Sequence, residues 1–94
     1  MQRATERFWR CYLSLPDELR ALADKNFELL KKNPRHPSLQ FKKVGEMWSA
    51  RVGQAHRALA VEDGHDFTWV WIGSHDDYER IIRGQSPRPY PVPD

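Results

Sequence analysis

Three short apolar runs in the second half of the chain constrain its fold more than any other feature. Each has the length of a β-strand, and they cover residues 48–53, 56–61 and 67–73. In the first run Trp48, Ala50 and Val52 alternate with polar residues, so they share one face of a strand. Gly53 follows the first run, and Asp63-Gly64 is a typical hairpin signal before the third. The pattern predicts an antiparallel meander of three strands.

The first half of the chain shows helical periodicity. Thr5 can cap a short first helix that carries aromatic residues on one stripe, namely Phe8, Trp9 and Tyr12. Pro16 suits the first turn of a second helix, and Asn33-Pro34 ends it. Within residues 16–32 apolar side chains recur every three or four positions, at Leu19, Leu22, Ala23, Phe27 and Leu30. This second helix is therefore predicted to bury one face.

A loop and a last helix complete the predicted architecture. Residues 33–47 contain two prolines and a short extended piece at 39–44. Ser74 and Asp77 have the spacing of a capping box for a final helix, which Gly84 ends. The prediction is an α+β fold of two layers, in which an N-terminal helical hairpin packs on an antiparallel sheet of three to four strands. We assign residues 1–84 to one domain and residues 85–94 to a proline-rich C-terminal tail.

The length of the chain and its cysteine content indicate the cellular compartment in which the protein is expected. The chain has 94 residues and a single cysteine, Cys11, so it has no internal disulfide. No apolar run approaches the roughly 18 residues that span a bilayer, and the N-terminus lacks the apolar stretch of a signal peptide. We therefore expect a cytoplasmic protein with no membrane association.

Positive charge is concentrated in one segment, although the formal net charge is only +2. Between residues 31 and 57 Glu46 is opposed by seven basic residues: Lys31, Lys32, Arg35, Lys42, Lys43, Arg51 and Arg57. One interpretation is a basic face that binds nucleic acid. The other is a solvated loop with ordinary surface charge. The distribution alone does not decide between the two.

Four chemically active side chains lie where the predicted strands meet the last helix: Arg51, Arg57, His75 and Tyr78. Arginine binds phosphate oxygens in a fork geometry, and histidine can move a proton near neutral pH. This set suits a phosphodiester substrate. The four histidines and Cys11 are not at metal-ligand spacing, and no glycine-rich phosphate loop is present. We expect no metal and no cofactor.

The chain resembles the RelE/ParE superfamily of bacterial type II toxins over residues 5–83. The resemblance rests on the order of elements and on local strings at residues 8–9, 15–16, 33–39, 41–44, 48–53, 57–59 and 71–78. It implies a compact sheet with helices on one face and a concave active surface on the sheet. RelE-type members cut mRNA in the ribosomal A site without a metal, whereas ParE-type members poison DNA gyrase. Either kind is normally neutralised by a cognate antitoxin.

The resemblance also implies roles for individual residues. Arg51 falls at a basic strand position, and Arg57 falls at the arginine that begins the next strand. His75 occupies the basic or histidine position after the last strand, and Tyr78 lies near a late aromatic. Ser49 stands where some RelE-type members carry a lysine, so one basic group is missing.

For RNA cleavage, Arg51 and Arg57 would stabilise charge on the phosphorane, and His75 would act as general acid or base. Tyr78 would assist or stack on a base, and Lys42 or Lys43 would hold the RNA backbone. Each role has a structural alternative. Arg57 can pair with Glu62 or Asp77, His75 can cap the helix or donate to Asp76, and Tyr78 can belong to the core with Ile81 and Ile82.

Three functions follow as expectations. The favoured one is a toxin that acts as a metal-independent, ribosome-dependent endoribonuclease on mRNA. The second is a ParE-like toxin that inhibits DNA gyrase without chemistry of its own. The third is an inactive toxin-fold protein that acts through antitoxin and operator binding. In each case a cognate antitoxin is the expected partner, bound by β-addition at an open strand edge or as a helix in a groove.

Overall fold

The structure is a computed structural model and describes residues 2–84, so the predicted proline-rich tail at 85–94 lies outside the described residues. Its elements in chain order are β1 (Gln2–Ala4), α1 (Glu6–Leu13), α2 (Asp17–Lys32), a 3-10 turn (Pro37–Leu39), β2 (Lys42–Val44), β3 (Met47–Val52), β4 (His56–Asp63), β5 (Asp66–Ser74) and α3 (His75–Gly84). This is an α+β fold, which confirms the predicted class. None of the helices in this range is long and apolar enough to cross a membrane.

The five strands form one mixed sheet in the order β1-β5-β4-β3-β2. Strands β2 to β5 are antiparallel neighbours, so the predicted meander is present with the short extended piece added at one edge. At the other edge β1 pairs in parallel with β5, with Gln2 opposite Phe67. This fifth strand extends the sheet of three to four strands expected from the sequence, because three residues are too few to show a strand period.

The main core lies on one face of the sheet, which we call the helical face because α1 and α2 cover it. Its strand residues are Ala50, Val52, Ala58, Ala60, Trp69 and Ile72, and the helices add Phe8, Ala23 and Leu30. The opposite face, called here the site face, carries the alternate residues Ser49, Arg51, Arg57, Leu59 and Trp71. There Leu59 and Trp71 form a second cluster with Tyr78 of α3. The sheet therefore has helices on both faces.

Sequence signals at the helix ends behave as predicted. The Thr5 hydroxyl accepts a hydrogen bond from the Phe8 N–H at 3.1 Å and caps α1. The Ser74 hydroxyl accepts one from the Asp77 N–H at 3.2 Å at the start of α3. Pro16 directly precedes α2, where its missing N–H leaves no donor unsatisfied. These local signals fix where the chain turns around the sheet.

Tyr12→Phe should weaken the contact between α1 and α2. The Tyr12 hydroxyl donates to the Asp24 carboxylate at 2.7 Å, and this bond raises the pKa of Tyr12 above its ordinary value of 10.0. We expect a loss of about 0.5–1.5 kcal/mol in the free energy of unfolding, measured by urea denaturation at pH 7. Because the pKa is higher in the folded state, the contribution is present at neutral pH and disappears as the pH rises above 10. An unchanged difference between the two proteins at alkaline pH would contradict this assignment.

Candidate functional site

The register of the sheet places two arginines side by side on the site face. Arg51 in β3 is directly opposite Arg57 in β4, so their Cβ atoms are about 4.5–5.5 Å apart. Like charges in this position destabilise a sheet unless an acid or an anion lies between them. Among residues 2–84 neither guanidinium forms an ion pair with a carboxylate. The pair is therefore a concentration of positive charge without a compensating acid.

Arg57 is buried, with 7% of its surface exposed, and only neutral groups hold it. Its Nη1 donates to the Ser49 hydroxyl and its Nη2 to the Gln40 side-chain oxygen, both at 2.8 Å. The guanidinium carbon lies 5.2 Å from the centre of the Tyr78 ring.

The predicted alternative, an ion pair of Arg57 with Glu62 or Asp77, is not found. Glu62 instead accepts a hydrogen bond from the Trp48 indole at 3.2 Å. Asp77 pairs with Arg80 at 3.3 Å. Both acids are thus engaged by other groups, and Arg57 has no carboxylate partner among the residues that the structure describes.

Helix α3 carries Tyr78 and His75, and it places Tyr78 next to Arg57 on the site face. Tyr78 is buried against Leu59 and Trp71, as the structural alternative predicted, and its ring also faces Arg57. The ring centres of His75 and Tyr78 are 5.5 Å apart. The Tyr78 ring therefore lies next to both the Arg57 guanidinium and the His75 imidazole.

The imidazole of His75 is open to solvent, with 48% of the side chain exposed. Its Nε2 lies 3.8 Å from a Glu79 carboxylate oxygen, one helical turn on, so the nearby acid is Glu79 and not Asp76. The His75 backbone N–H donates to the carbonyl of Ala55 at 2.7 Å, which attaches the start of α3 to the β3–β4 turn. The imidazole is thus accessible to a substrate from the solvent side.

The remaining predicted residues divide between the two faces. Arg51 donates from Nε to the Gly53 carbonyl at 2.8 Å, which turns its side chain along the strand. Lys42 pairs in register with Ser49 and shares the site face, whereas Lys43 pairs with Trp48 and belongs to the helical face. Both lysines are exposed on the edge strand β2. The structure brings Lys42 into line with the arginines and separates Lys43 from them.

The sequence did not predict the contacts of two residues that hold Arg57, Ser49 and Gln40. Ser49 was noted only as the place of a missing lysine, yet it is fully buried and accepts the Arg57 hydrogen bond. Gln40 lies 17 residues from Arg57 in a loop, where no local pattern indicates its contact. Gln40 lies within the extended piece predicted at residues 39–44, and pairing of that piece with β3 is the one sequence signal that could have indicated its contact with Arg57.

A glycine shapes the floor of the site. Gly73 is opposite Arg57 in the register, and the Trp71 ring lies over its Cα. A Cβ at this position would be 2.5 Å from Cζ2 of Trp71, closer than such atoms approach in proteins. Glycine therefore allows the indole to lie along β5 against the position that faces Arg57 in the register.

The arrangement can bind a phosphate group and transfer a proton next to it. Two guanidiniums and the Lys42 ammonium supply positive charge, and His75 supplies a titratable nitrogen. Within residues 2–84 no three His, Cys, Asp or Glu side chains come together as metal ligands. A cavity of about 120 Å³ lies on the other side of the sheet, between the helices and the helical face, and its mostly apolar lining includes Phe8, Phe27 and Trp69.

Comparison with known proteins identifies the fold. No protein-family model matches the chain, and a search of curated proteins found no significant match. Solved structures do match. YafQ from Escherichia coli strain BL21(DE3) aligns with a TM-score of 0.68 at 10% identity, over 83% of this chain and 96% of YafQ. A RelB–RelE antitoxin–toxin complex from Methanococcus jannaschii aligns with a TM-score of 0.67 at 13% identity, over 84% of this chain and 96% of the matched chain.

A third match is a protein described as a YoeB/ParE toxin from Agrobacterium tumefaciens, with a TM-score of 0.61 at 14% identity, over 79% of this chain and 96% of that one. The chain thus has the fold of the RelE/ParE toxins, as the sequence resemblance implied. Because both RelE-type and ParE-type names occur among the matched structures, the fold alone does not select one activity.

Proposed function

We propose that this protein is the toxin of a type II toxin–antitoxin system and a metal-independent, ribosome-dependent endoribonuclease that cuts mRNA. The observation that carries the proposal is that Tyr78 lies next to both the buried guanidinium of Arg57, which has no carboxylate partner within residues 2–84, and the exposed imidazole of His75. A buried charge without an acid partner is unfavourable for the folded protein. Such a group is typical of a site whose partner is an anionic substrate.

RNA cleavage without a metal has three parts: the 2′-hydroxyl loses a proton as its oxygen bonds to phosphorus, the phosphorane charge is stabilised, and the 5′-oxygen gains a proton as its bond to phosphorus breaks. The products are a 2′,3′-cyclic phosphate and a 5′-hydroxyl, and solvent water takes or supplies whichever proton His75 does not. Arg57 and Arg51 lie side by side and supply the electrostatic stabilisation. His75 is accessible and exchanges a proton with one of the two oxygens. Lys42, on the same face, holds the RNA backbone. Tyr78 acts through Arg57 and His75 and does not itself contact the RNA.

The proposed partner is a cognate antitoxin. One matched structure is described as an antitoxin–toxin complex, and in the sheet formed by residues 2–84 of the present chain β2 is an edge strand. A partner segment can add to this edge by main-chain hydrogen bonds, and the exposed Lys42 and Lys43 favour an acidic segment. Affinity purification from the native host should recover a small acidic protein; recovery of none would contradict the proposal.

A gyrase inhibitor is the second candidate, and Ser49 is the observation that favours it. The side chain is fully buried and its hydroxyl is used by Arg57, so this position offers RNA no positive charge. A ribosome-directed nuclease with one basic group fewer would bind RNA less tightly. An inhibitor that acts by binding a protein would not need that charge.

Primer extension on cellular mRNA after brief induction tests the proposed function. Wild-type protein should produce new 5′ ends inside translated codons, and these should disappear when translation initiation is blocked. We expect His75→Ala to reduce cutting roughly 100- to 10,000-fold, the usual contribution of a general acid or base. His65→Ala is the matched control, because His65 is exposed in the β4–β5 turn and should leave cutting unchanged.

The outcomes separate the candidates. Cuts that His75→Ala removes and His65→Ala retains would support the nuclease. Growth arrest without cut mRNA would reject it in favour of the gyrase inhibitor, which a supercoiling assay then measures directly. Cuts that persist in His75→Ala would remove the imidazole from the chemistry.

A further inference from the structure

An exposed glutamine in a loop contacts the buried arginine of the site. Gln40 follows the 3-10 turn and precedes β2, and its side-chain oxygen accepts the Arg57 Nη2 hydrogen bond at 2.8 Å. Ser49 accepts from Nη1 at the same distance. Together they occupy both terminal nitrogens of the guanidinium with neutral acceptors. We call this pair, Gln40 and Ser49, the neutral clamp.

The backbone at Gln40 is in an unfavourable conformation. Its φ of 43° and ψ of 45° are left-handed, and it is the one non-glycine residue with a positive φ in the range 2–84. The neighbours impose this conformation. Leu39 is fully buried in the core, and the Phe41 ring stacks on Trp48 with centroids 4.9 Å apart. The left-handed residue between these two anchors lets the amide reach Arg57.

We propose that Gln40 is a positioning residue, which holds Arg57 through a neutral oxygen so that the guanidinium keeps its charge for a phosphate of the substrate. This inference rests on the proposed function, because it assumes an anionic ligand at the site. A guanidinium has five N–H donors, and the clamp uses one on each terminal nitrogen. The Tyr78 ring covers one face of the group. Three N–H donors remain, and a guanidinium binds phosphate oxygens in a fork through such donors.

Because the neutral clamp carries no charge, its role differs from that of an acid that would only stabilise the buried Arg57 in the folded protein. A glutamate at position 40 could accept the same hydrogen bond and would hold a buried arginine more strongly. It would also neutralise the charge that the ligand requires. Arg51, opposite Arg57, likewise has no carboxylate partner within residues 2–84, so in this range neither guanidinium is paired with an acid that would compete with an anionic ligand.

Gln40→Glu tests the proposal because stability and binding should change in opposite directions. The probe is a short 2′-O-methyl RNA oligonucleotide, which cannot be cleaved, and its affinity is measured by fluorescence anisotropy at fixed salt. We expect the variant to keep or raise the thermal midpoint and to bind at least 10-fold more weakly. Gln54→Glu is the matched control, since it adds the same charge at the exposed β3–β4 turn. It should change affinity less than 3-fold.

Gln40→Gly separates the clamp from the turn. Glycine adopts the left-handed conformation without strain but lacks the amide. If Gln40 served only the turn, this variant would bind RNA as tightly as wild type, and that result would overturn the proposal. Equal binding by folded Gln40→Glu, or failure of wild type to bind the probe, would overturn it as well. Wild type that binds the probe but cuts no mRNA would reject only the proposed nuclease activity.

Discussion

Arg57→Met should strongly reduce cutting of mRNA while leaving the fold nearly as stable as wild type. Replacing the buried charge by an apolar side chain removes its desolvation penalty, which is on the order of several kcal/mol per ion. Here the buried Ser49 hydroxyl loses its donor, which costs about 1–3 kcal/mol. The two effects are opposite and of similar size, so the free energy of unfolding should change little. Loss of the guanidinium should lower cutting roughly 100- to 1,000-fold.

Urea denaturation and primer extension on the same variant check both halves of this prediction. Arg57→Lys is the informative companion, because lysine keeps the charge but cannot hold Ser49 and Gln40 with one planar group. It should cut mRNA better than Arg57→Met and worse than wild type. A large loss of stability in Arg57→Met, with activity falling in proportion, would show that the arginine serves the fold and not the substrate.

Local signals made most of the fold predictable. The Thr5 cap, the apolar stripe of α2 and the Asp63-Gly64 hairpin each act within a few residues, so the sequence displays them directly. Strand β1 was missed because its pairing with Phe67 and its neighbours joins residues far apart in the chain.

The site was predictable only in part, for a similar reason. The turn between β3 and β4 sets the register, so the adjacency of Arg51 and Arg57 follows from two strands close in sequence. The environment of Arg57 could not be predicted in this way, because Gln40 belongs to a loop and Tyr78 to the last helix, both distant from Arg57 in the sequence. Charge alone suggested an ion pair for Arg57. The neutral clamp required the three-dimensional arrangement.

Trp69→Ala is the substitution we expect to damage the fold most. Trp69 is only 2% exposed, and its carbonyl accepts from the Thr5 N–H at 2.9 Å, just before α1. Its ring contacts Phe27 of α2 and Phe41 before β2, with centroids 5.8 and 6.3 Å away. The ring thus joins β5 to two other parts of the chain. Truncating a buried tryptophan costs about 3–5 kcal/mol.

Trp9→Ala provides the matched control for this loss. Trp9 is a tryptophan of α1 with 49% of its surface exposed, and its ring contacts only Phe8 and Tyr12 among the aromatic residues of the range 2–84. Its removal should lower the free energy of unfolding by about 0.5–1 kcal/mol. Urea denaturation monitored by circular dichroism compares the stabilities of the two variants without relying on tryptophan fluorescence. Equal losses would mean that the helical face is not the main core.

The size of the Trp69 effect decides how a loss of the proposed activity in any variant is interpreted. A domain of this size is stable by about 5–15 kcal/mol, so a loss of 3–5 kcal/mol can leave much of Trp69→Ala unfolded. Such a variant would lose toxicity without any change at Arg57 or His75. A harmless variant therefore identifies a site residue only if its unfolding transition matches that of wild type. Arg57→Met is expected to meet that condition and Trp69→Ala to fail it, so the pair separates residues that act on the substrate from those that maintain the fold.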